Sequence, residues 1–398
     1  MVGLVLLVLV IANLALLVPV VVFAVEVFAA ATRRGVPAAM VPDARPSAAI
    51  LVPAHDEEDG IAETVIALRR QLRPGDRLLV VADNCADATA ARAREADAEV
   101  VERRDASARG KGYALDFGIR HFGKAPPQVV VIVDADCRLD PGSVDRLAAR
   151  ASATGRPVQG LNLMSVPQGG GLNLQVAELA FLIKNHVRPA GLHRLGLPCH
   201  LTGTGMAFPW AIIRDADLAH ASLVEDMKLG LDLARRGTPA LFCEDARISS
   251  HFPYTQEGAS SQRRRWEEGH IGMIASGIGQ LPGALRSGRA DVIAVALDVL
   301  VPPLTLLLML MTAAFAVTAI LTFALSLGHL AFIVSAFGLA LFVIAALVAW
   351  GAFGRDALPP RALLRVVPYV LRKLALYPKL AFGSRSGTWV RTDRKRGE

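Results

Sequence analysis

Two carboxylates, Asp134 and Asp136, directly follow the apolar run of residues 129–133. A run of Val and Ile that is bounded by polar residues is typical of a central strand covered on both faces. Side chains two residues apart at a strand end project to the same side, so both carboxylates can act on one ligand. Such a pair at the edge of a sheet suits a hard divalent cation. An ordinary turn followed by a helix cap at Asp140 and Pro141 fits this stretch about equally well.

Polar residues also follow two other predicted strands. Residues 48–52 are followed by Pro53, His55 and Glu57, and residues 77–81 are followed by Asp83. The carboxyl ends of parallel strands meet at one edge of a sheet, and ligands bind there. Three acid-rich strand ends therefore predict a polar binding site at this edge.

The elements that must position these residues alternate between strand and helix. Residues 61–72 carry apolar side chains at every third or fourth position, which predicts a helix, and residues 86–96 and 111–122 are predicted to be helical as well. This alternation predicts an α/β fold with a mostly parallel sheet and helices on both faces.

Two polar groups stand out in the second half of the chain. Glu225 and Asp226 open a predicted helix, where acids are ordinary partners of the helix dipole. Residues 262–266 read QRRRW, and Gln262, Arg265 and Trp266 share one helix face. An amide, a guanidinium and an indole together suit a charged ligand that contains a ring, because Arg can bind a diphosphate through two hydrogen bonds. A basic amphipathic helix lying on a membrane would show the same residues.

The apolar residues, which make up 53% of the chain, are concentrated in long runs. Residues 2–25 carry no charge and no basic residue precedes them, which favours a retained membrane anchor over a cleaved signal peptide. Residues 303–325 and 330–350 are predicted to span the membrane twice more. Basic residues at 33, 34 and 45 follow the first run, so the positive-inside rule predicts an external N-terminus and a cytoplasmic domain.

Positive charge is concentrated at the C-terminus. Residues 355–398 contain eleven Lys and Arg and three Asp and Glu, whereas the net charge of the whole chain is +7. A basic tail beside a membrane span is expected to bind anionic membrane lipids and not nucleic acid. The cysteines are widely spaced, which favours free thiols in a reducing compartment; they are Cys85, Cys137, Cys199 and Cys243.

These patterns divide the chain into six predicted regions. They are an N-terminal transmembrane helix (1–27), a linker (28–46), an α/β domain (47–275), an interfacial segment (276–301), two transmembrane helices (302–352) and a basic cytoplasmic tail (353–398).

The polar groups occur in the order D, DxD, (T/E)D and QxxRW, and in this the region 48–270 resembles the membrane-bound family 2 glycosyltransferases. That family includes cellulose, hyaluronan and poly-N-acetylglucosamine synthases and ceramide glucosyltransferases, which are inverting enzymes with a GT-A fold. Val224 stands where many members have Thr, and the few predicted spans argue against processive extrusion of a polymer. The matching residues are Asp83, Asp134 with Asp136, Glu225 with Asp226, and Gln262 with Arg265 and Trp266.

The resemblance implies a chemistry for each motif. The donor would be a nucleoside diphosphate sugar, in particular a UDP-sugar, with Mg²⁺ or Mn²⁺ held by Asp134 and Asp136. Asp226 would be the general base. The acceptor would be a polysaccharide, or as the nearest alternative a lipid, at the cytoplasmic face of a bacterial inner membrane. The remaining substrate-binding residues would be Pro53, His55, Glu57, Asp83, Lys111, Asp134, Gly203, Gly205, Glu225, Gln262, Arg265 and Trp266.

Two other classes of protein share some of these features. A membrane-tethered nucleotidyltransferase could use the same pair of metal-binding acids, but it has no need of QRRRW or of the distant Asp226. A scaffold or transport subunit without catalytic activity would explain the membrane spans. It would not explain acids at several strand ends.

Overall fold

The computed structural model describes residues 2–32, 45–167, 170–220, 222, 224–253, 255–327, 329–363 and 365. Most of the predicted linker and most of the basic tail lie outside the described residues. Eight strands form one sheet: β1 (Ala48–Ala54), β2 (Arg77–Asp83), β3 (Glu99–Arg103), β4 (Val129–Ile132), β5 (Arg138–Leu139), β6 (Val158–Ser165), β7 (Met206–Pro209) and β8 (Leu241–His251).

The order of strands across the sheet is β3-β2-β1-β4-β7-β6-β8-β5. The first four are parallel to one another, as the alternation of strands and helices predicts. The β4–β7, β7–β6 and β8–β5 pairs are antiparallel, and β6 pairs with β8 in parallel. The predicted α/β fold is confirmed, with its parallel half carrying the acid-rich strand ends.

The helices are α1 (Val2–Ala31), α2 (Ile61–Arg69), α3 (Thr89–Glu95), α4 (Lys111–Phe122), α5 (Ser143–Thr154), α6 (Leu172–Leu182), α7 (Arg188–Arg194), α8 (Trp210–Ile213), α9 (Glu225–Arg235), α10 (Gln256–Arg286), α11 (Ala290–Val299), α12 (Leu304–Phe323) and α13 (Leu330–Ala349). A π-helical turn, Ile183–Val187, joins α6 to α7, and a second one, Trp350–Gly354, follows α13. The segment 276–301, predicted to be interfacial, consists of the end of α10 and all of α11.

Helices cover both faces of the sheet. Successive residues of β1 point to opposite sides, so Ile50 packs in a core cluster with Leu147 of α5, whereas Leu51 packs in another with Phe122 of α4. Strand β4 is fully buried because its side chains enter both clusters, which is what its unbroken apolar sequence predicts.

Three helices are long and apolar enough to cross a membrane: Gly3–Ala31, Leu304–Phe323 and Leu330–Gly354. The first continues four residues past the predicted end at 27, because the sequence remains apolar after Glu26. Helix α1 packs against α13, with the rings of Phe23 and Phe342 5.5 Å apart. The same apolar cluster includes Val187 and Ala190, so the membrane helices pack directly on the α/β domain.

Candidate active site

The carboxyl end of β4 brings its acids close to three other segments. The ammonium Nζ of Lys111, the first residue of α4, lies 2.5 Å from an oxygen of Asp134 and 3.6 Å from an oxygen of Glu225 at the start of α9. The same ammonium donates a hydrogen bond of 2.7 Å to the carbonyl of Gly203 in the loop before β7. Lys111 therefore joins the DxD acids, the α9 acids and the glycine loop into one cluster.

Charges within this cluster shift its titration. Burial opposes the charge of Lys111, but the carboxylates of Asp134 and Glu225 outweigh it and raise the pKa of the ammonium above its usual range. Burial raises the pKa of Glu225 to about 7, an effect that Lys111 opposes and the neighbouring Asp226 reinforces. Glu225 therefore gains or loses a proton near neutral pH.

Asp134 and Asp136 satisfy the chemical requirements of a divalent cation site. Their oxygens and the sulfur of Cys137 all lie within 4.8 Å of one another. Burial raises the pKa of the Cys137 thiol well above its usual value, so the sulfur stays protonated and is a poor ligand. The two carboxylates are the hard oxygen ligands that Mg²⁺ and Mn²⁺ prefer. The set fits either ion, with coordination positions left for substrate oxygens and water.

Asp226 lies at the amino end of α9, directly beside the glycine loop. One of its oxygens accepts a hydrogen bond of 2.8 Å from the backbone N–H of Met227. Gly203 has a φ of +86°, and a Cβ at this position would lie 3.3 Å from the other Asp226 oxygen. Glycine is required here because the loop backbone both adopts a left-handed conformation and approaches the carboxylate closely.

A cleft of about 370 Å³ collects most of the predicted site residues. Trp266 packs at one side of it, with its ring 5.7 Å from the ring of Phe181 on α6. Residues that are up to 155 positions apart in sequence thus face one space. Those that line it are Lys111, Asp134, Asp136, Gly203, Glu225, Asp226, Gln262, Arg265 and Trp266.

Other predicted residues do not line this cleft. Pro53, His55 and Glu57 lie at the adjacent edge of the sheet, where His55 Nδ1 is 2.7 Å from the carbonyl of Asp83. The Asp83 side chain is buried, and one oxygen accepts a hydrogen bond of 2.6 Å from Arg103. Its second oxygen has no hydrogen-bond partner among the described residues. Gly205 is also outside the cleft, and its N–H donates to the carbonyl of Ile132 in β4.

Sequence reasoning missed the floor of the cleft. Lys184 and Arg188 reach it from the π-helical turn and the start of α7, and His270 reaches it from α10. Burial lowers the pKa of His270 to about 3, and the nearby Lys184 adds to the effect, so the imidazole is neutral. One signal was available, because Lys184 directly follows the apolar run of residues 179–183.

Arg188 is held from both sides by buried carboxylates. Its Nε donates a hydrogen bond of 2.7 Å to Glu26 of α1, and its Nη2 pairs with the side chain of Asp298 in α11. Nη2 also donates 2.7 Å to the Asp298 carbonyl. This ion-pair triad (Glu26, Arg188 and Asp298) connects the first membrane helix to the floor of the cleft.

Together the sheet and the cleft describe an α/β enzyme with an acidic strand-end site, flanked by three helices that are long and apolar enough to span a membrane. The chain belongs to the glycosyltransferase-like family 2, which matches residues 46–269, and it is therefore a glycosyltransferase. The predicted resemblance is confirmed, and the chain is neither a nucleotidyltransferase nor a scaffold without catalytic activity. Among curated proteins no significant sequence match is found.

Solved structures with a similar arrangement are also glycosyltransferases. One is the mannosyltransferase PcManGT from Pyrobaculum calidifontis in complex with GDP-Man and Mn²⁺ (19% identity, 85% of this chain and 97% of that one, TM-score 0.46). Others are GalNAc-T7 with UDP, GalNAc and Mn²⁺ (15%, 53% and 45%, TM-score 0.40) and glucosyl-3-phosphoglycerate synthase from Mycobacterium tuberculosis (21%, 55% and 75%, TM-score 0.36).

Proposed function

We propose that the protein transfers a sugar, with inversion, from a nucleoside diphosphate sugar to a glycan or lipid acceptor at the cytoplasmic face of the membrane. A UDP-sugar is the favoured donor. The observation that carries the proposal is the meeting of the DxD acids, Asp226 and the QxxRW residues in one cleft. The family match supplies the reaction class, and the cleft supplies residues suited to each part of it.

The donor diphosphate is assigned to the end of β4. Asp134 and Asp136 would hold Mg²⁺ or Mn²⁺, which neutralises charge on the leaving diphosphate so that no protonated acid is needed there. Lys111 and Glu225 would complete this end of the cleft, since Lys111 carries a positive charge 2.5 Å from Asp134. Arg265 and Gln262 would bind the diphosphate from the opposite wall, and Trp266 would offer a flat surface to a sugar ring.

The nucleoside is assigned to the adjacent sheet edge at Pro53, His55, Glu57 and Asp83. A buried carboxylate oxygen without a hydrogen-bond partner is costly, and Asp83 has one. A ribose hydroxyl or a base N–H would satisfy it. Gly203 would shape the acceptor side by keeping a side chain away from Asp226. Gly205 would act indirectly, because a Cβ there would collide with Ile248 of β8 and displace the loop.

Asp226 is assigned as the general base. Its carboxylate would take the proton from the acceptor hydroxyl as that oxygen bonds to the anomeric carbon from the face opposite the diphosphate. The bond between the anomeric carbon and the diphosphate oxygen breaks, and the nucleoside diphosphate leaves with its electron pair. Attack from the opposite face inverts the anomeric configuration by the same geometry that distinguishes inverting glycosidases.

Replacing the base tests this assignment. The Asp226→Asn variant should bind UDP with unchanged affinity and lose transfer by a factor of about 10² to 10⁴, the usual contribution of general base catalysis. The assay follows nucleoside diphosphate release from a panel of UDP- and GDP-sugars in the presence of membranes, with mass analysis of the product. Asp217→Asn is the control, since Asp217 is exposed, lies outside α9 and pairs with Lys228. Transfer by Asp226→Asn at a near wild-type rate would contradict the proposed role.

A further inference from the structure

The floor of the cleft is continuous with a membrane helix. Pro302, Pro303, Leu304 and Thr305 line it, and Leu304 is the first residue of α12, which is long and apolar enough to span a bilayer. A molecule that enters from the bilayer side would therefore meet the cleft without first crossing the aqueous surface of the domain.

One wall of the cleft is apolar. It is formed by α6, in which no residue is fully buried although the helix is mostly apolar. A half-exposed apolar helix in a membrane-associated enzyme is suited to contact hydrocarbon, whereas a hydrated glycan would leave this wall without polar partners. The α6 residues that face the cleft are Leu174, Val176, Ala177, Ala180 and Phe181.

One positive charge in the floor is not neutralised. Lys184 makes no hydrogen bond or ion pair with any described residue, whereas the neighbouring Arg188 is neutralised by Glu26 and Asp298. Burial lowers the pKa of Lys184, and the charge of Asp226 partly offsets this effect. A partly buried cation that no carboxylate contacts directly is costly, and an anionic ligand would remove that cost.

The turn that carries Lys184 supports a functional role. It is a π-helical turn, a rare conformation that is frequent at functional sites. The extra residue in this turn shifts the helix register and brings Lys184 to the cleft beside Asn185 and Arg188.

We propose, building on the transfer reaction above, that the acceptor is a membrane lipid whose head group carries both a phosphate and a free hydroxyl. Its hydrocarbon chains lie along α6 and the start of α12, and its phosphate pairs with Lys184. The hydroxyl then reaches Asp226, which takes its proton. Phosphate is favoured over other anions because it is the anionic group of membrane lipid head groups, and Lys is a common phosphate ligand.

The test compares acceptors in nanodiscs of defined composition, using whichever nucleotide sugar the donor panel identifies. Phosphatidylglycerol in phosphatidylcholine supplies phosphate and hydroxyl, diacylglycerol supplies a hydroxyl alone, and a soluble oligosaccharide supplies neither lipid nor phosphate. We expect glycosylated phosphatidylglycerol as the product. Lys184→Met should raise the KM for this acceptor about tenfold or more with little change in kcat, and Lys184→Arg should restore it.

Two measurements separate this proposal from misfolding and from the proposed function itself. Removing an unneutralised buried charge should leave the thermal unfolding midpoint unchanged or raised, whereas a structural role for Lys184 would lower it. Lys228→Met, which removes a lysine of α9 that pairs with Asp217 and Asp232, is the matched control.

Transfer to the oligosaccharide, or transfer to diacylglycerol that is insensitive to Lys184→Met, would overturn the lipid phosphate assignment and leave the transferase intact. Equal KM values for phosphatidylglycerol in wild type and Lys184→Met would overturn it as well. Failure to release nucleoside diphosphate from any donor would instead contradict the proposed donor.

Discussion

Replacing Glu225 by glutamine tests the electrostatics of the proposed site in the folded protein without ligand. The Glu225 side chain is 14% exposed and lies 3.6 Å from Lys111. Its pKa is raised from an ordinary value of 4.5 to about 7, chiefly by burial. The native state therefore binds a proton between pH 4.5 and 7 that the unfolded chain has already lost, so this group stabilises the fold less as pH rises through that window.

The size of the effect follows from the pKa difference. One pKa unit corresponds to about 1.4 kcal/mol, so Glu225 lowers the free energy of unfolding by about 3 kcal/mol between pH 4.5 and 7. For a domain of this size, 1 kcal/mol changes the unfolding midpoint by about 2 °C or more. About 2.5 kcal/mol of this effect falls between pH 5 and pH 8. We therefore expect wild type to lose about 5 °C in that range through this group alone, and Glu225→Gln to lose none of that part.

The assay is thermal unfolding of the detergent-solubilised protein in EDTA at pH 5, 6, 7 and 8, at one scan rate. Histidines and other acids titrate in both proteins, so the difference between wild type and Glu225→Gln isolates Glu225. Glu63→Gln is the control, because Glu63 is exposed and pairs with Arg138 on the surface. If the unfolding midpoints of wild type and Glu225→Gln fall equally with pH, burial does not raise the pKa of Glu225 against the opposing effect of Lys111, and the reasoning is refuted.

Two further predictions concern the metal and the membrane helix. Asp136→Asn should weaken Mn²⁺-dependent UDP binding about tenfold or more in calorimetry. EDTA should remove the part of wild-type UDP binding that depends on Mn²⁺. Unchanged binding in the variant would exclude Asp136 as a metal ligand. Gly191→Ala should lower the unfolding midpoint, because a Cβ there would lie 2.0 Å from the backbone oxygen of Glu26, and overpacking of this kind costs about 1–3 kcal/mol. Gly60→Ala is the control, because a Cβ at Gly60 would have no atom within 4 Å. Equal unfolding midpoints for Gly191→Ala and Gly60→Ala would show that α1 does not pack tightly on α7.

Local sequence signals predicted the parallel half of the fold well. The apolar runs of β1, β2 and β4 and the periodic helices between them are decided by burial on both faces of the sheet, which composition reveals directly. Strand β8 is less evident from the sequence, because Glu244 and Asp245 interrupt its apolar run after residue 243. The strand continues to His251, with Ala246, Ile248 and Ser250 turned inward in alternation.

The acidic residues of the site could be predicted from the sequence, but the floor residues Lys184, Arg188 and His270 could not. Asp134, Asp136 and Asp226 stand at element ends, where a sequence motif and strand topology together place them. Lys184 lies on a π-helical turn, a conformation that has no reliable sequence pattern. The pairing of Asp83 with Arg103 likewise depends on the register of β2 with β3, which a single sequence does not determine.

The triad of Glu26, Arg188 and Asp298 gives the N-terminal helix a structural role in the α/β domain. A simple tether could be cut away to release a working soluble enzyme. Removing α1 from this chain would instead strip Arg188 of one of its two carboxylates and uncover the apolar surface around Val187 and Ala190. Helix α1 is thus part of the folded enzyme. Removing it should yield an unstable protein and not a water-soluble catalyst.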